Sequence, residues 1–179
     1  CALQTQPNIC LVSEEVEAKE MSLDDVVTYI AKVVADRAAD GNNFGTVLIP
    51  EGLIEFIPAI KKLIAELNEV LTDPATGEPR EFANAEEQID FVKSSIAKDN
   101  LAILESLPED VARQLCLDRD PHGNVQVSLI ETEKLLSRMV EKKLEAWKEE
   151  GKYNGNFSAQ HHFFGYEGRC AAPSNYDAD

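Results

Sequence analysis

Thr46-Val47-Leu48-Ile49-Pro50-Glu51-Gly52 is the stretch on which the reading of this chain turns. Four β-favouring residues end abruptly on a proline and a glycine, the pattern of a short strand buried on both faces of a sheet and stopped by a turn. A similar run, Ile9-Cys10-Leu11-Val12, lies upstream. Between the two, Ser22 and Asp25 have the spacing of a capping box, with Asp in place of Glu. Leu23, Val26, Val27, Ile30, Val33, Val34 and Ala38 then recur at helical spacing until Gly41 supplies a stop. Downstream, a helix is expected from about Pro58, with Ile60, Leu63, Ile64, Leu67 and Val70 on one face. Strand, helix, strand, helix with short connections predicts an α/β fold with a parallel sheet.

From residue 72 to residue 150 the pattern changes. Asp73-Pro74-Ala75-Thr76-Gly77-Glu78-Pro79 is rich in turn formers, and beyond it the periodicity is helical with no long strand. Ile89, Val92 and Ile96 mark one helix; Ser106 to Glu109 and Ser128 to Glu131 have capping-box spacing. The second box is expected to open a long helix with Leu129, Leu136, Met139, Val140, Leu144 and Trp147 on its apolar face. Residues 72–150 therefore read as an α-helical insertion within an α/β domain formed by residues 1–71 and 151–179. Phe157-Ser158-Ala159-Gln160-His161-His162-Phe163-Phe164 alternates in character and predicts a third strand, with Gly165-Tyr166-Glu167-Gly168-Arg169 as the loop after it.

Composition narrows the function classes. With 44% hydrophobic residues in 179 the chain has enough apolar material for a real core. Seventeen Lys and Arg against thirty-three Asp and Glu give a net charge of −16. That balance argues against nucleic acid, whose recognition needs a basic face, and no apolar run is long enough to span a membrane. It also repels phosphorylated ligands at long range unless local cations override it. The cysteines Cys1, Cys10, Cys116 and Cys170 show no CxxC pair, and Cys10 sits in an apolar run as a small buried hydrophobe; a reduced, cytoplasmic setting is expected. The chain opens on Cys1 without Met and closes on Pro173-Ser174-Asn175-Tyr176-Asp177-Ala178-Asp179, which suits a helix start, so a piece of a longer protein is expected.

In an open α/β sheet, ligands bind outside the carboxyl ends of the strands. Three loops qualify: Ser13-Glu14-Glu15, Pro50-Glu51-Gly52 and Gly165 to Arg169. Glu51 can accept hydrogen bonds from sugar hydroxyls, while Arg169 offers a rigid fork of donors suited to a phosphate. Tyr166 adds a hydroxyl and a flat face, and its flanking glycines admit close backbone approach. Glu14 and Glu15 read as solvated acids. No metal site is expected: Asp118-Arg119-Asp120-Pro121-His122-Gly123 begins like a calcium loop but has Leu129 where a bidentate Glu is needed. His161 and His162 are adjacent, so on a strand they diverge. No Gly-rich nucleotide loop is present.

Two of these segments carry a resemblance. Ile49-Pro50-Glu51-Gly52-Leu53-Ile54-Glu55-Phe56-Ile57-Pro58 and His162-Phe163-Phe164-Gly165-Tyr166-Glu167-Gly168-Arg169 resemble the long-type pyrophosphate-dependent phosphofructokinases, as do the opening Pro7 to Glu15 and the helical insertion. The resemblance implies part of a phosphofructokinase-like, parallel three-layer αβα domain. It implies that Glu51 hydrogen-bonds the sugar hydroxyls of fructose 6-phosphate and that Tyr166 and Arg169, with the backbone of Glu167 and Gly168, hold its phosphate. The family's pyrophosphate- and Mg2+-binding segments and its catalytic base are not in this sequence, so no catalytic residue is expected here and the chain alone should be inactive. The remainder of a longer chain and a neighbouring subunit of a homo-oligomer are the implied partners. The alternative is a non-catalytic regulatory or interaction domain of the same family.

Overall fold

The structure, a computed structural model, describes residues 2–120 and 123–164. They form α1 (Ala2–Thr5), β1 (Ile9–Cys10), α2 (Ser13–Ala18), α3 (Leu23–Ala39), β2 (Val47–Leu48), α4 (Pro58–Val70), α5 (Ala85–Ser95), α6 (Lys98–Ser106), α7 (Glu109–Leu117) and α8 (Thr132–Glu149). The chain divides into two compact units, one made of residues 2–11, 27–49 and 136–164, the other of Val12–Val26 and Pro50–Leu135.

In the first unit β1 and β2 pair in parallel, Ile9 opposite Val47 and Cys10 opposite Leu48. The Asn8 side chain extends the ladder by accepting the Thr46 N–H at 2.9 Å. The fold is thus mixed α/β around a small parallel sheet. The strands are shorter than the apolar runs and not buried on both faces. Ile9 is buried whereas Cys10 is exposed, because successive residues of a strand point to opposite sides. The third strand expected over Phe157–Phe164 does not form. Gly155, Phe157 and Ala159 are half-buried and alternate with exposed neighbours, but the stretch has no sheet partner among the described residues. A period-two pattern makes a strand only when a ladder is available to pair with it.

α3 begins as its sequence dictates. Asp25 accepts the Ser22 N–H at 2.9 Å and the Ser22 hydroxyl accepts the Asp25 N–H at 3.1 Å, a reciprocal cap. Its end is marked by Gly41 at φ +80°, the left-handed conformation a C-terminal stop requires.

The second unit is held by α4, which packs on a 3-10 turn at Leu53–Phe56 and on α5 and α6, with α7 against α5 and α6. Leu53, Ile54, Ile57, Ile60, Leu63 and Leu67 are all essentially buried. Each such side chain contributes on the order of 1.5–3 kcal/mol by leaving water, so this apolar run anchors the unit. Pro58 stands at the first turn of α4, as expected. The capping box read at Ser106 does not form: its hydroxyl turns back to the Ile103 carbonyl at 2.7 Å, and α7 starts on Pro108 without a side-chain cap. The long helix begins at Thr132, after a 3-10 turn at Val127–Leu129 that leaves Leu129 half exposed. Around the loop read as a false calcium motif, Asp120 accepts the Asn124 N–H at 2.9 Å, Gly123 donates to the Asp120 carbonyl, and Arg119 meets Val125 in an antiparallel bridge.

Candidate functional site

The first candidate loop, Ser13-Glu14-Glu15, is the opening of α2, and Glu15 spends its carboxylate on Lys19 at 2.8 Å. The hydrogen bond and charge of Lys19 lower its pKa, as for a solvated surface pair. Neither glutamate of that loop is gathered into a site.

Glu51 stands two residues past Ile49, in the turn that ends the strand run. The turn is set from both sides. Pro50 accepts the Leu53 N–H at 3.3 Å, and Gly52 sits at φ +74°, where an L side chain costs roughly 1–2 kcal/mol. Leu53 and Ile54 then plunge into the core. The pattern P-E-G followed by apolar residues thus holds Glu51 outward on a short tether: its side chain is exposed, and it already has a polar partner within the chain. Tyr166, Glu167, Gly168 and Arg169 lie outside the described residues.

The approach to that motif is described as far as Phe164. Gly151, at φ +72°, ends α8, and the N–H groups of Lys152 and Tyr153 return to the Trp147 carbonyl at 2.8 and 3.2 Å. Tyr153 is buried, which pushes its phenol pKa up. Gly155 packs on it so closely that a Cβ there would lie 2.5 Å from the Tyr153 hydroxyl oxygen. Lys152 pairs with Glu150 at 2.6 Å. His161 and His162 do diverge: His161 bonds Ser137 at 2.7 Å, while His162 stacks edge-on against Phe164 at 4.7 Å.

Two features escaped sequence reasoning. One is a recess of about 440 Å³ lined by the small residues Ala35, Ala38 and Ala39 of α3 and by Asn43, Asn154 and Asn156. The other is a buried basic group. Arg119 donates to the Cys116 carbonyl at 3.1 Å while its second terminal nitrogen is buried without a partner, and burial lowers its pKa. The recess joins segments more than a hundred residues apart, which no local pattern announces; the Arg119 contact spans only three residues, but its burial is set by the fold. Among the described residues no cluster of three or more His, Cys, Asp or Glu is placed to hold a metal ion, and no helix is long and apolar enough to cross a membrane.

No protein-family model matches the chain. Individual proteins do, along its whole length. It is 60% identical over 179 residues to pyrophosphate–fructose 6-phosphate 1-phosphotransferase of Porphyromonas gingivalis, covering 32% of that protein. It is 50% identical over 179 residues to the protein of the same name from Treponema pallidum, covering 31% of it. Against the subunit beta of that enzyme from Solanum tuberosum the identity is 51% over 178 residues, or 30% of the relative. The chain therefore spans about a third of the length of the curated relatives it matches. At that identity over its whole length, the chain belongs to the pyrophosphate–fructose 6-phosphate 1-phosphotransferase family.

Proposed function

We propose that this chain supplies the acceptor side of a reversible phosphoryl transfer, in which pyrophosphate phosphorylates the 1-hydroxyl of fructose 6-phosphate. The observation that carries the proposal is identity of 50–60% along the whole chain with relatives named for that reaction. In this reading the carboxylate of Glu51 accepts hydrogen bonds from sugar hydroxyls. The guanidinium of Arg169 and the hydroxyl of Tyr166, with the backbone of Glu167 and Gly168, bind the 6-phosphate. What these groups contribute is orientation: they fix the sugar so that its 1-hydroxyl faces the donor, and positioning supplies much of the rate in phosphoryl transfer. In this reading Mg2+, the donor and the base belong to the part of the relatives' length that this chain does not span, and no step is routed through them. A phosphofructokinase-like three-layer domain interrupted by the 72–150 helices, a neighbouring subunit completing the site and a cytoplasmic location belong to the same proposal.

The experiment is a pair of substitutions in the longer, full-length protein, Glu51→Gln and Arg169→Ala, assayed in both directions with pyrophosphate. The expected result is a rise in KM for fructose 6-phosphate of about tenfold or more for Arg169→Ala, the loss of a charge-assisted phosphate contact, with KM for pyrophosphate unmoved. The 179-residue chain by itself should show no turnover. Unchanged sugar-phosphate KM in both variants, or turnover by the chain alone, overturns the proposal.

A further inference from the structure

Asn154-Gly155 is the one Asn-Gly pair in the sequence, and it stands just past the end of α8. The chain is held on either side of the pair but not at the pair itself. Upstream, the Lys152 and Tyr153 N–H groups return to the Trp147 carbonyl. Downstream, the Gly155 carbonyl accepts only a long bond, at 3.4 Å, from the Lys148 ammonium. Asn154 is exposed and Gly155 half-buried. Among the described residues, the Gly155 N–H finds no backbone acceptor, the Asn154 carbonyl accepts no backbone donor, and the Asn154 carboxamide makes no hydrogen bond.

Glycine stands at 155 for want of room. Its φ is not in the left-handed region, so the backbone angle does not demand it. A Cβ, however, would lie 2.5 Å from the Tyr153 hydroxyl oxygen and 2.7 and 2.8 Å from two of its ring carbons, and Tyr153 is itself buried. The packing of Tyr153 thus places after Asn154 the one residue whose amide nitrogen no side chain shields. The Asp-Gly pair of the sequence, Asp40-Gly41, is built differently. There the Gly41 N–H donates to the Ala38 carbonyl at 3.0 Å and the Asp40 N–H to the Asp36 carbonyl at 3.2 Å, closing the end of α3. The glycine nitrogen is engaged in that pair and free of any described partner in the other.

We propose that Asn154 is a modification site in the folded protein, where asparagine, a thermolabile residue, converts spontaneously through a cyclic imide to aspartate and isoaspartate. The Gly155 nitrogen, its proton taken by hydroxide or another base in the water, attacks Cγ of Asn154. A new N–Cγ bond closes the five-membered imide while the Cγ–Nδ2 bond breaks, and the leaving nitrogen picks up a proton and departs as ammonia. Water then opens the imide: at the Cγ carbonyl it yields aspartate, at the main-chain carbonyl isoaspartate. The sum is asparagine plus water giving an aspartyl or isoaspartyl residue plus ammonia, with nothing oxidised or reduced. The attack needs rotation about the Asn154 backbone, and neither group of the peptide joining Asn154 to Gly155 has a backbone hydrogen bond, among the described residues, that opposes it. The product is a carboxylate on the wall of the recess that Asn154 lines together with Lys152 and Asn156, and in the isoaspartyl form a main chain longer by one methylene.

The test incubates the folded full-length protein at neutral and at mildly alkaline pH and follows its tryptic peptide Tyr153–Arg169 by mass spectrometry. Fragment ions separate Asn154 from Asn156, and a protein isoaspartyl methyltransferase counts isoaspartate. Synthetic Tyr153–Arg169 and Ala38–Lys61 give the rates of the two pairs without the fold. In the protein Asn154 should convert at least about tenfold faster than Asn156, whose successor is Phe157; tenfold is about 1.4 kcal/mol in the barrier. Its rate should stay within about tenfold of the free peptide's and rise with pH, whereas Asp40-Gly41 should isomerise at least about tenfold more slowly in the protein than in its peptide. Asn154→Ser should remove the isoaspartate signal from the peptide. Equal conversion at Asn154 and Asn156, or a protein rate for Asn154 more than about tenfold below the peptide's, overturns the proposal. If Asp40-Gly41 is not slowed by the fold, an engaged glycine nitrogen is not what separates the two pairs, and the structural reason given for Asn154 falls.

Discussion

Truncating Glu66 should unpin α6 from α4. α6 begins at Lys98 with Ala97 as its N-cap, and Ala97 has no side chain able to satisfy the first amides. The missing acceptor comes from α4. The Glu66 carboxylate takes the Ala97 N–H at 2.8 Å and the Asn100 side-chain N–H at 2.5 Å. Two hydrogen bonds to a charged acceptor, placed at the positive end of a helix dipole, sum to about 3 kcal/mol before screening; half-exposure of Glu66 reduces that to about 1–2 kcal/mol. For a chain of this length the loss corresponds to a fall in Tm of roughly 2–8 °C. Glu66→Gln keeps one acceptor and should lose about half as much. The assay is thermal and urea unfolding followed by circular dichroism, with amide exchange at Ala97 as the local readout. The reasoning is refuted if Glu66→Ala unfolds with the parent and the Ala97 amide keeps its protection.

Two other outcomes follow from the same packing. Gly155→Ala places a methyl 2.5 Å from the Tyr153 hydroxyl oxygen, so it should destabilise by about 1–3 kcal/mol in thermal unfolding; adding Tyr153→Phe should recover part of the loss. The Cys116 thiol is buried, and its desolvation raises its pKa. In the folded chain iodoacetamide should therefore modify exposed Cys10 readily and Cys116 only on unfolding, as peptide mass spectrometry would show. The raised pKa fixes the sign of the linkage. The contribution of the neutral thiol is intact below the ordinary thiol range of about 8.5, and stability is lost as pH rises above it through the folded value; a denaturation series that gains stability there would contradict it.

The parts of the fold written in local chemistry were legible. Ser22 and Asp25, Gly41, and Pro58 mark the ends of their helices because each acts within one turn of its own position. What depended on a choice between partners was not. Ser106 could as well bond back to Ile103 as cap forward, and it bonds back. Asn84, the true cap of α5 through the Glu87 N–H at 2.8 Å, is a local signal that sequence reasoning overlooked. Phe157–Phe164 has the alternation of a strand, yet pairing is decided by neighbours that a pattern cannot supply. For the site, the strand-end rule found the outward turn of Glu51; the His161–Ser137 tie joins positions 24 apart and left no trace in spacing.

The pairing of β1 with β2 carries a kinetic consequence. Asn8 and Thr46 are 38 residues apart, and parallel strands cannot be joined by a tight turn. The loop between them must be shortened before the ladder yields any return, and α3 is the element that shortens it. The small parallel sheet is therefore expected to form late, after α3. During synthesis β1 emerges well before its partner, and it waits as an unpaired edge until α3 brings Thr46 back to it.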